Sequence, residues 1–264
     1  MQFRVKFRKK RCQLNQVLTI LLLLVFGPLQ SMAGFDFNPI IANLAPSGSG
    51  ATASFTVTNL DTTKLAVQIT MVLRKPDENG KEDFTEKESD KIEENFRIFP
   101  NQLILDPKGS RTVRVTYIGE PNIKSEIAYR IIAEELPVDL DDPNRKYTKP
   151  VAKISISTRY IGSLYVTPKT AKSDIVIEGK KSETASNQLE IHVTNKGTAH
   201  QIYRNPVVKV VSISNGKEVV VPDPDTKELK SQNVLAGMKR VFRVPWPKEL
   251  AAGSVKVILD STKE

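Results

Sequence analysis

One stretch of the sequence, VAKISISTRYIGSLYVTP at residues 151–168, most restricts the fold of this chain. Its side chains alternate, with Ile154, Ile156, Thr158 and Tyr160 on one face and Lys153, Ser155, Ser157 and Arg159 on the other. This period of two predicts a long half-buried strand, which could reach Val166 if Gly162 marks a bulge or bend, and which Pro168 ends. These apolar side chains can pack into the core of the protein itself, or the edge of the strand can pair with another polypeptide.

The first residues have the pattern of a secretory signal peptide. Six basic residues and no acid precede an apolar run at residues 17–26, and small residues lead up to Ala33. The run is shorter than the roughly 20 residues that a membrane span needs, although an uncleaved anchor is an alternative. We therefore predict export and cleavage after Ala33, which leaves 264 − 33 = 231 residues.

Removal of this leader lowers the net charge of the protein and removes its cysteine. The formal net charge of +9 falls to +9 − 6 = +3, so the basic character gives no indication of nucleic-acid binding. The only cysteine, Cys12, also lies in the leader. The exported protein is therefore expected to have no disulfides and to depend on its hydrophobic cores, with enough chain for two domains of about 100–130 residues.

Short alternating segments separated by turn residues continue along the chain and predict strands. In the first half they lie at residues 35–45 (an edge strand), 53–57, 65–73, 97–99, 100–104, 111–117 and 126–136; in the second half, at 175–177, 188–193, 207–213, 218–221, 240–244 and 254–259. The charged residues 76–95 are interpreted as a solvated loop. The pattern predicts an all-β fold of two immunoglobulin-like β-sandwiches, over residues 34–167 and 168–264, after a signal peptide at 1–33.

The sequence offers little support for catalysis or metal binding. His192 and His200 have no cysteine or second histidine at metal-ligand spacing, and the G-x-S-x-G motif of many serine hydrolases is missing. Trp246, between two prolines, is interpreted as a packing residue. We expect no enzymatic activity, no metal and no cofactor.

Several short motifs follow one another along the chain. In the first half these are VTN at 57–59, LDPKG at 105–109 followed by TVRV, YRIIAEELP at 129–137 and LYVTP at 164–168; in the second half, LEIHVTNKGTAHQ at 189–201 and VLAGMKRVFRVPWP at 234–247. In this order the motifs resemble the periplasmic chaperones of chaperone–usher pilus assembly. The branch it resembles most is that of archaic or spore-coat-type fimbriae. The resemblance implies two domains set as an L or boomerang, a periplasmic location, pilus or fimbrial subunits and an outer-membrane usher as partners, and no requirement for ATP.

The resemblance also implies a mechanism, donor-strand complementation. The chaperone lends a long strand to a subunit that lacks one, until the next subunit replaces it. In this sequence the subunit-binding residues of the lent strand would be Lys153, Ile154, Ile156, Thr158 and Tyr160.

The family also uses two basic residues to hold the subunit's C-terminal carboxylate, and here this sequence departs from it. The first strand has no lysine or arginine, and Ser163 stands at the usual lysine position. Our candidate anchors are Arg130 and Arg159; the alternative for Arg130 is a surface pair with a cross-strand acid. Glu126 matches an acidic position that orients the two domains in the family, but Thr167 stands where its arginine partner would be.

A second function also fits these observations. A secreted two-domain β-sandwich binding protein, or an adhesin-like structural protein, would keep the alternating strand for its own core, and the missing basic residues favour it. The sequence leaves open whether a free chaperone of this type caps itself as a homo-oligomer.

Overall fold

β-strands make up most of the part of the chain that the structure describes. A computed structural model describes residues 34–82, 92, 94–138, 140, 157–181 and 187–261. Its strands are β1 Phe35–Asn38, β2 Ile41–Leu44, β3 Thr52–Asn59, β4 Leu65–Leu73, β5 Phe96–Phe99, β6 Gln102–Leu105, β7 Ser110–Tyr117, β8 Ile127–Leu136, β9 Arg159–Val166, β10 Ile175–Lys181, β11 Gln188–Asn195, β12 Gln201–Tyr203, β13 Pro206–Ser212, β14 Glu218–Val220, β15 Gln232–Val234, β16 Lys239–Pro245 and β17 Val255–Ser261. Within these ranges, none of the helices has the length and apolar character needed to cross a membrane.

The first sandwich is built from two sheets, with strand orders β1-β3-β7-β5 and β2-β9-β8-β4-β6. Alternation places one face of each strand inside: in β3, for example, Phe55, Val57 and Asn59 are fully buried while their neighbours face outward. Both sheets contribute to one hydrophobic core, in which Phe55 packs with residues such as Met71 and Leu164.

The single edge strand expected over residues 35–45 is wrong, because the chain forms two short strands there on different sheets. β1 pairs antiparallel with β3, whereas β2 pairs parallel with β9. Phe35 and Phe37 are buried in β1, but Ala42 and Leu44 are buried in β2. One continuous strand cannot point both odd and even positions inward, so the change of parity goes with a change of sheet.

β9 is a regular strand from Arg159 to Val166. Its antiparallel register with β8 runs without a break from the pair Glu134–Arg159 to the pair Ile127–Val166. The strand therefore reaches Val166, as considered from the sequence, but without a bulge at Gly162. Glycine is needed there for another reason: a Cβ would lie 2.8 Å from the Ile131 side chain and 2.9 Å from the Ile40 carbonyl oxygen.

The second sandwich has its own hydrophobic core. Its sheets have strand orders β10-β11-β16 and β14-β13-β17, with a smaller β12-β15 pair. Leu189, Val210 and Phe242 belong to this core, as does Trp246, which is buried and donates from Nε1 to the Leu250 carbonyl at 3.1 Å. The prediction for Trp246, the all-β class and the pair of sandwiches are all confirmed.

The VTN motif has the same structural role in both sandwiches. Asn59 ends β3, is fully buried, and donates from Nδ2 to the carbonyls of Thr63, Leu105 and Asp106 at 2.8–3.2 Å. Asn195 ends β11 and makes equivalent contacts: its Nδ2 donates to the carbonyls of Ala199 and Val234 at 2.8 and 3.1 Å. Each asparagine thus satisfies turn carbonyls that would otherwise be buried without a donor.

Candidate functional site

One edge of β9 is only partly covered. β8 runs along its other edge over the whole strand, but β2 pairs only with Ser163–Val166, the second half of β9. Ser163 N donates to the Ile40 carbonyl at 2.8 Å, at the limit of this coverage. By alternation the Ile161 N–H points the same way as that of Ser163, yet no strand among the described residues pairs with β9 there. Such an edge can accept another strand.

The inward face of β9 begins at Tyr160. This ring is half-buried and contacts Phe35, with ring centroids 5.0 Å apart, and Leu164 and Val166 continue the row into the first core. Thr158 precedes it, and its carbonyl accepts from Glu135 N at 3.0 Å, so pairing with the β8 edge extends past the start of β9. The other predicted donor-strand residues, Lys153, Ile154 and Ile156, lie outside the described residues.

Arg130 lies beside the covered half of β9 and is bound to an acid that is distant in sequence. Its Nε and Nη2 donate to Glu82 Oε2 and Oε1 at 2.7 Å each, and its Nη1 donates to Ser163 Oγ at 2.5 Å. Arg74 donates to the same carboxylate, from Nε to Oε1 at 2.8 Å. Two guanidinium groups therefore share one carboxylate, and all three side chains are at least four-fifths buried.

This arrangement corrects the interpretation of the charged loop at Glu82. Burial by itself would raise the pKa of Glu82, but the hydrogen bond from Arg130 and the charge of Arg74 outweigh it and lower the pKa below its ordinary value of 4.5. The carboxylate is thus ionised and held by two arginines instead of being solvated. The residues at 83–91 and 93 lie outside the described part of the chain.

Arg74 also connects the arginine pair to the second sandwich. Its Nη1 donates to Tyr165 Oη at 2.9 Å, and Asn233 Nδ2 donates to the same oxygen at 2.8 Å. Tyr165 is almost completely buried and stacks on His200 with ring centroids 4.2 Å apart. Through Tyr165, a residue of β9, the guanidinium of the first sandwich contacts side chains that belong to the second.

Glu126 forms a second polar joint between the sandwiches. Its carboxylate, 1% exposed, accepts from Thr167 Oγ1 at 2.8 Å, from His200 Nδ1 at 2.7 Å and from His200 N at 3.2 Å. The sequence pointed to Glu126 and Thr167 as a pair whose usual arginine was missing. A hydroxyl and an imidazole supply the donors instead.

Arg159 lies apart from the arginine pair. Its Nε is 3.8 Å from Glu134 Oε2, and both side chains are more than a third exposed. It stands four residues from Ser163 along β9, or about 13 Å at the usual strand rise. The surface pair with a cross-strand acid, which we considered for Arg130, is found at Arg159.

Sequence reasoning missed Arg74, Glu82 and His200. Arg74 follows β4, which pairs with β8, and the register places Val72 opposite Arg130. A correct strand pairing would therefore have brought Arg74 near Arg130. Nothing in the local sequence distinguishes Glu82 from the other acids around it.

No known family model matches the sequence, and no curated protein matches it. Solved structures do share its fold. A chain from a chaperone–tip adhesin complex of CFA/I fimbriae biogenesis is 16% identical, with a TM-score of 0.54 over 86% of this chain and 94% of that one.

Two further chaperones are similar to the chain. The class 5 fimbriae chaperone CfaA is 15% identical with a TM-score of 0.52, covering 85% of this chain and 98% of its own. The chaperone YadV is 13% identical with a TM-score of 0.51, covering 86% and 92%. The chain therefore has the two-sandwich fold of fimbrial chaperones over nearly the whole length of these proteins.

Proposed function

We propose that the chain is a periplasmic chaperone that stabilises pilus or fimbrial subunits by lending them a strand, and passes them to an outer-membrane usher. The observation that carries this proposal is the half-covered edge of β9. At this edge the backbone is extended, one side is already fixed by β8, and the inward row starting at Tyr160 is continued in sequence by Thr158, Ile156 and Ile154.

The chemistry of such an edge suits an incomplete sandwich. A client strand placed beside β9 would accept from the outward N–H groups, including that of Ile161, and would gain register from this ladder. Ile154 and Ile156 would fill the client's core, each contributing roughly 1.5–3 kcal/mol on full burial. Lys153, on the opposite face, would stay near the surface.

Arg130 and Arg74 are the residues best placed to hold the client's C-terminal carboxylate. Both guanidinium groups already bind a carboxylate, and Arg130 contacts Ser163, which stands at the position of the family's usual lysine. A guanidinium can bind a carboxylate through two parallel hydrogen bonds. Arg159, about 13 Å from Ser163 along the strand and paired with Glu134, is the weaker candidate.

The remaining parts of the proposal follow from the sequence and the fold of the similar chaperones. The leader at residues 1–33 would direct export and be removed, and the sandwiches would divide at residues 167 and 168. The chain would act without ATP, metal or catalysis, because its work is to form and release a strand pair.

Co-expression with a fimbrial subunit from the same genome tests the proposal. The wild-type chain should raise the periplasmic yield of the subunit, and Ile156→Asp should abolish the increase because it places a charge in the client's core. Ile104→Asp is the matched control, since Ile104 is an exposed isoleucine on β6, at the opposite edge of the same sheet. An equal loss in both variants, or none in Ile156→Asp, would contradict the proposal.

A further inference from the structure

We propose that residues 76–82, here called the strap, are a built-in competitor for the carboxylate site, with Glu82 occupying the Arg74–Arg130 pair until a client's C-terminal carboxylate displaces it. The inference rests on the proposed function and concerns how the same site is regulated. It makes the free protein a closed form, which opens only for a ligand of the right chemistry.

Glu82 and a client's C terminus present the same chemical group to the arginine pair. The side chain of Glu82 and the C terminus of a polypeptide both end in a carboxylate, and the arginine pair binds Glu82 through three charge-assisted hydrogen bonds of 2.7–2.8 Å. The same N–H groups cannot serve two carboxylates with this geometry. A ligand carboxylate must therefore take them from Glu82.

The strap is held in a defined conformation by its own backbone. Pro76 and Glu82 form an isolated antiparallel bridge, and Gly80 N donates to the Asp77 carbonyl at 2.9 Å, so the strap is a small closed turn. Gly80 has a φ of 84°, and a Cβ there would overlap the guanidinium of Arg240. The strap thus has a defined shape that fits against the second sandwich.

The outer contacts of the strap lie on β16. Val241 N donates to the Glu78 carbonyl at 2.8 Å, and Asn79 accepts from Arg240 at its carbonyl and from Arg243 at Oδ1, at 3.4 and 3.1 Å. The contact with Arg243 is exposed, whereas the contact with Arg240 is partly buried. The strap therefore crosses from the arginine pair to the second sandwich without being part of either core.

Positive charge is in excess around Glu82. Arg240 is 6% exposed, and burial together with the charge of Arg74 lowers its pKa, against the opposing effect of Asp77 and Glu82. Arg240 Nε is buried without a hydrogen-bond partner among the described residues. A neighbourhood with this excess of guanidinium groups retains its attraction for an anion when Glu82 leaves.

The consequence is selection among ligands. A competitor on the same chain has a high effective concentration, so a free carboxylate alone will displace Glu82 poorly. A client that also pairs with β9 has additional binding energy and can complete the exchange. Displacement of Glu82 then weakens the hydrogen bonds between the strap and β16, so client binding in the first sandwich changes the contacts made by the second.

The test compares the full mature chain with Glu82→Gln, and uses a labelled short peptide of alternating valine and serine in two forms, one ending in a free carboxylate and one in an amide. Glu82→Gln should bind the free-carboxylate peptide roughly tenfold more tightly than wild type, since the competing charge is gone, and should leave the amide peptide unchanged. Glu218→Gln, which removes an exposed acid from β14, is the matched control and should change neither.

A second readout needs no ligand. Hydrogen exchange at the Val241 amide should be faster in Glu82→Gln than in wild type. The Glu78 carbonyl of the strap accepts from this amide, and in the variant the strap has lost the ion pairs of Glu82 with the two arginines. A wild type that prefers the free carboxylate, with no gain in Glu82→Gln, would overturn this inference and leave the proposed function intact. If neither protein prefers the free carboxylate over the amide, the anchor in the proposed function fails as well.

Discussion

The carboxylate of Glu126 offers the sharpest test of how the two sandwiches are joined. It is 1% exposed and accepts three hydrogen bonds, two of them from His200. A hydrogen bond to a charged group contributes about 1.5–3 kcal/mol, against about 0.5–1.5 kcal/mol for a neutral one. Glu126→Gln keeps the shape but removes the charge, so each contact should lose about 1 kcal/mol and the free energy of unfolding should fall by roughly 2–4 kcal/mol.

Two optical signals can follow the loss, because Trp246 is the only tryptophan and lies in the second core. Far-ultraviolet circular dichroism reports on both sandwiches. In urea, the wild type should give coincident transitions by fluorescence and dichroism, and Glu126→Gln should separate them because a joint between the sandwiches is weakened.

Glu178→Gln is the control, since Glu178 forms an exposed pair with Lys180 at 3.6 Å and should change the free energy of unfolding by less than about 1 kcal/mol. Coincident transitions in Glu126→Gln, with a free energy of unfolding close to that of the control, would show that the Glu126 carboxylate does not join the two sandwiches.

Three further predictions concern stability. Asn59→Ala removes the donor for three carbonyls and should lower the free energy of unfolding by about 2–4 kcal/mol. Thr56→Ala, on the outer face of β3, should leave it nearly unchanged. Similar chemical denaturation midpoints for these two variants would contradict this prediction. The folded pKa of Glu82 lies below 4.5, so the contribution of Glu82 to the free energy of unfolding is complete above pH 4.5 and is lost as the pH falls through the folded pKa. Glu82→Gln should therefore flatten the acidic part of the curve of stability against pH. The same acidic slope in wild type and Glu82→Gln would show that the arginines do not stabilise an ionised Glu82. Burial raises the pKa of Tyr129 and of Tyr203 to about 12, so their contributions to the free energy of unfolding are complete below pH 10 and are lost as the pH rises through 12. Absorbance at the phenolate band should show that these two rings are still protonated at pH 11. Titration of all the tyrosines by pH 11 would argue against their burial.

The fold was largely predictable because alternation is a local signal. Each strand in the first sandwich carries its own pattern of buried and exposed residues, as β3 and β8 show. The change of sheet between β1 and β2 was missed because both segments are apolar. Only the odd positions of one and the even positions of the other reveal that they belong to different sheets.

The arginine pair was only half predictable. Arg130 could be proposed from its place on a strand next to β9, but its partner Glu82 is 48 residues away and sits in a segment whose composition is typical of solvated loops. What keeps Glu82 buried is a contact with two arginines from β8 and the end of β4, which requires the register of that sheet. His200 was missed for the same reason, because its role depends on a carboxylate in the other sandwich.

Hydrogen exchange at the backbone of β9, measured for the free protein and for its complex with a co-expressed fimbrial subunit, tests directly whether a client strand pairs with this edge. The Ile161 amide points to the edge that β2 leaves uncovered, whereas the Gly162 amide faces β8. Exchange at the Ile161 amide should become much slower in the complex, while exchange at Gly162 should change little. A stable complex in which the Ile161 amide exchanges as fast as in the free protein would show that the client binds elsewhere.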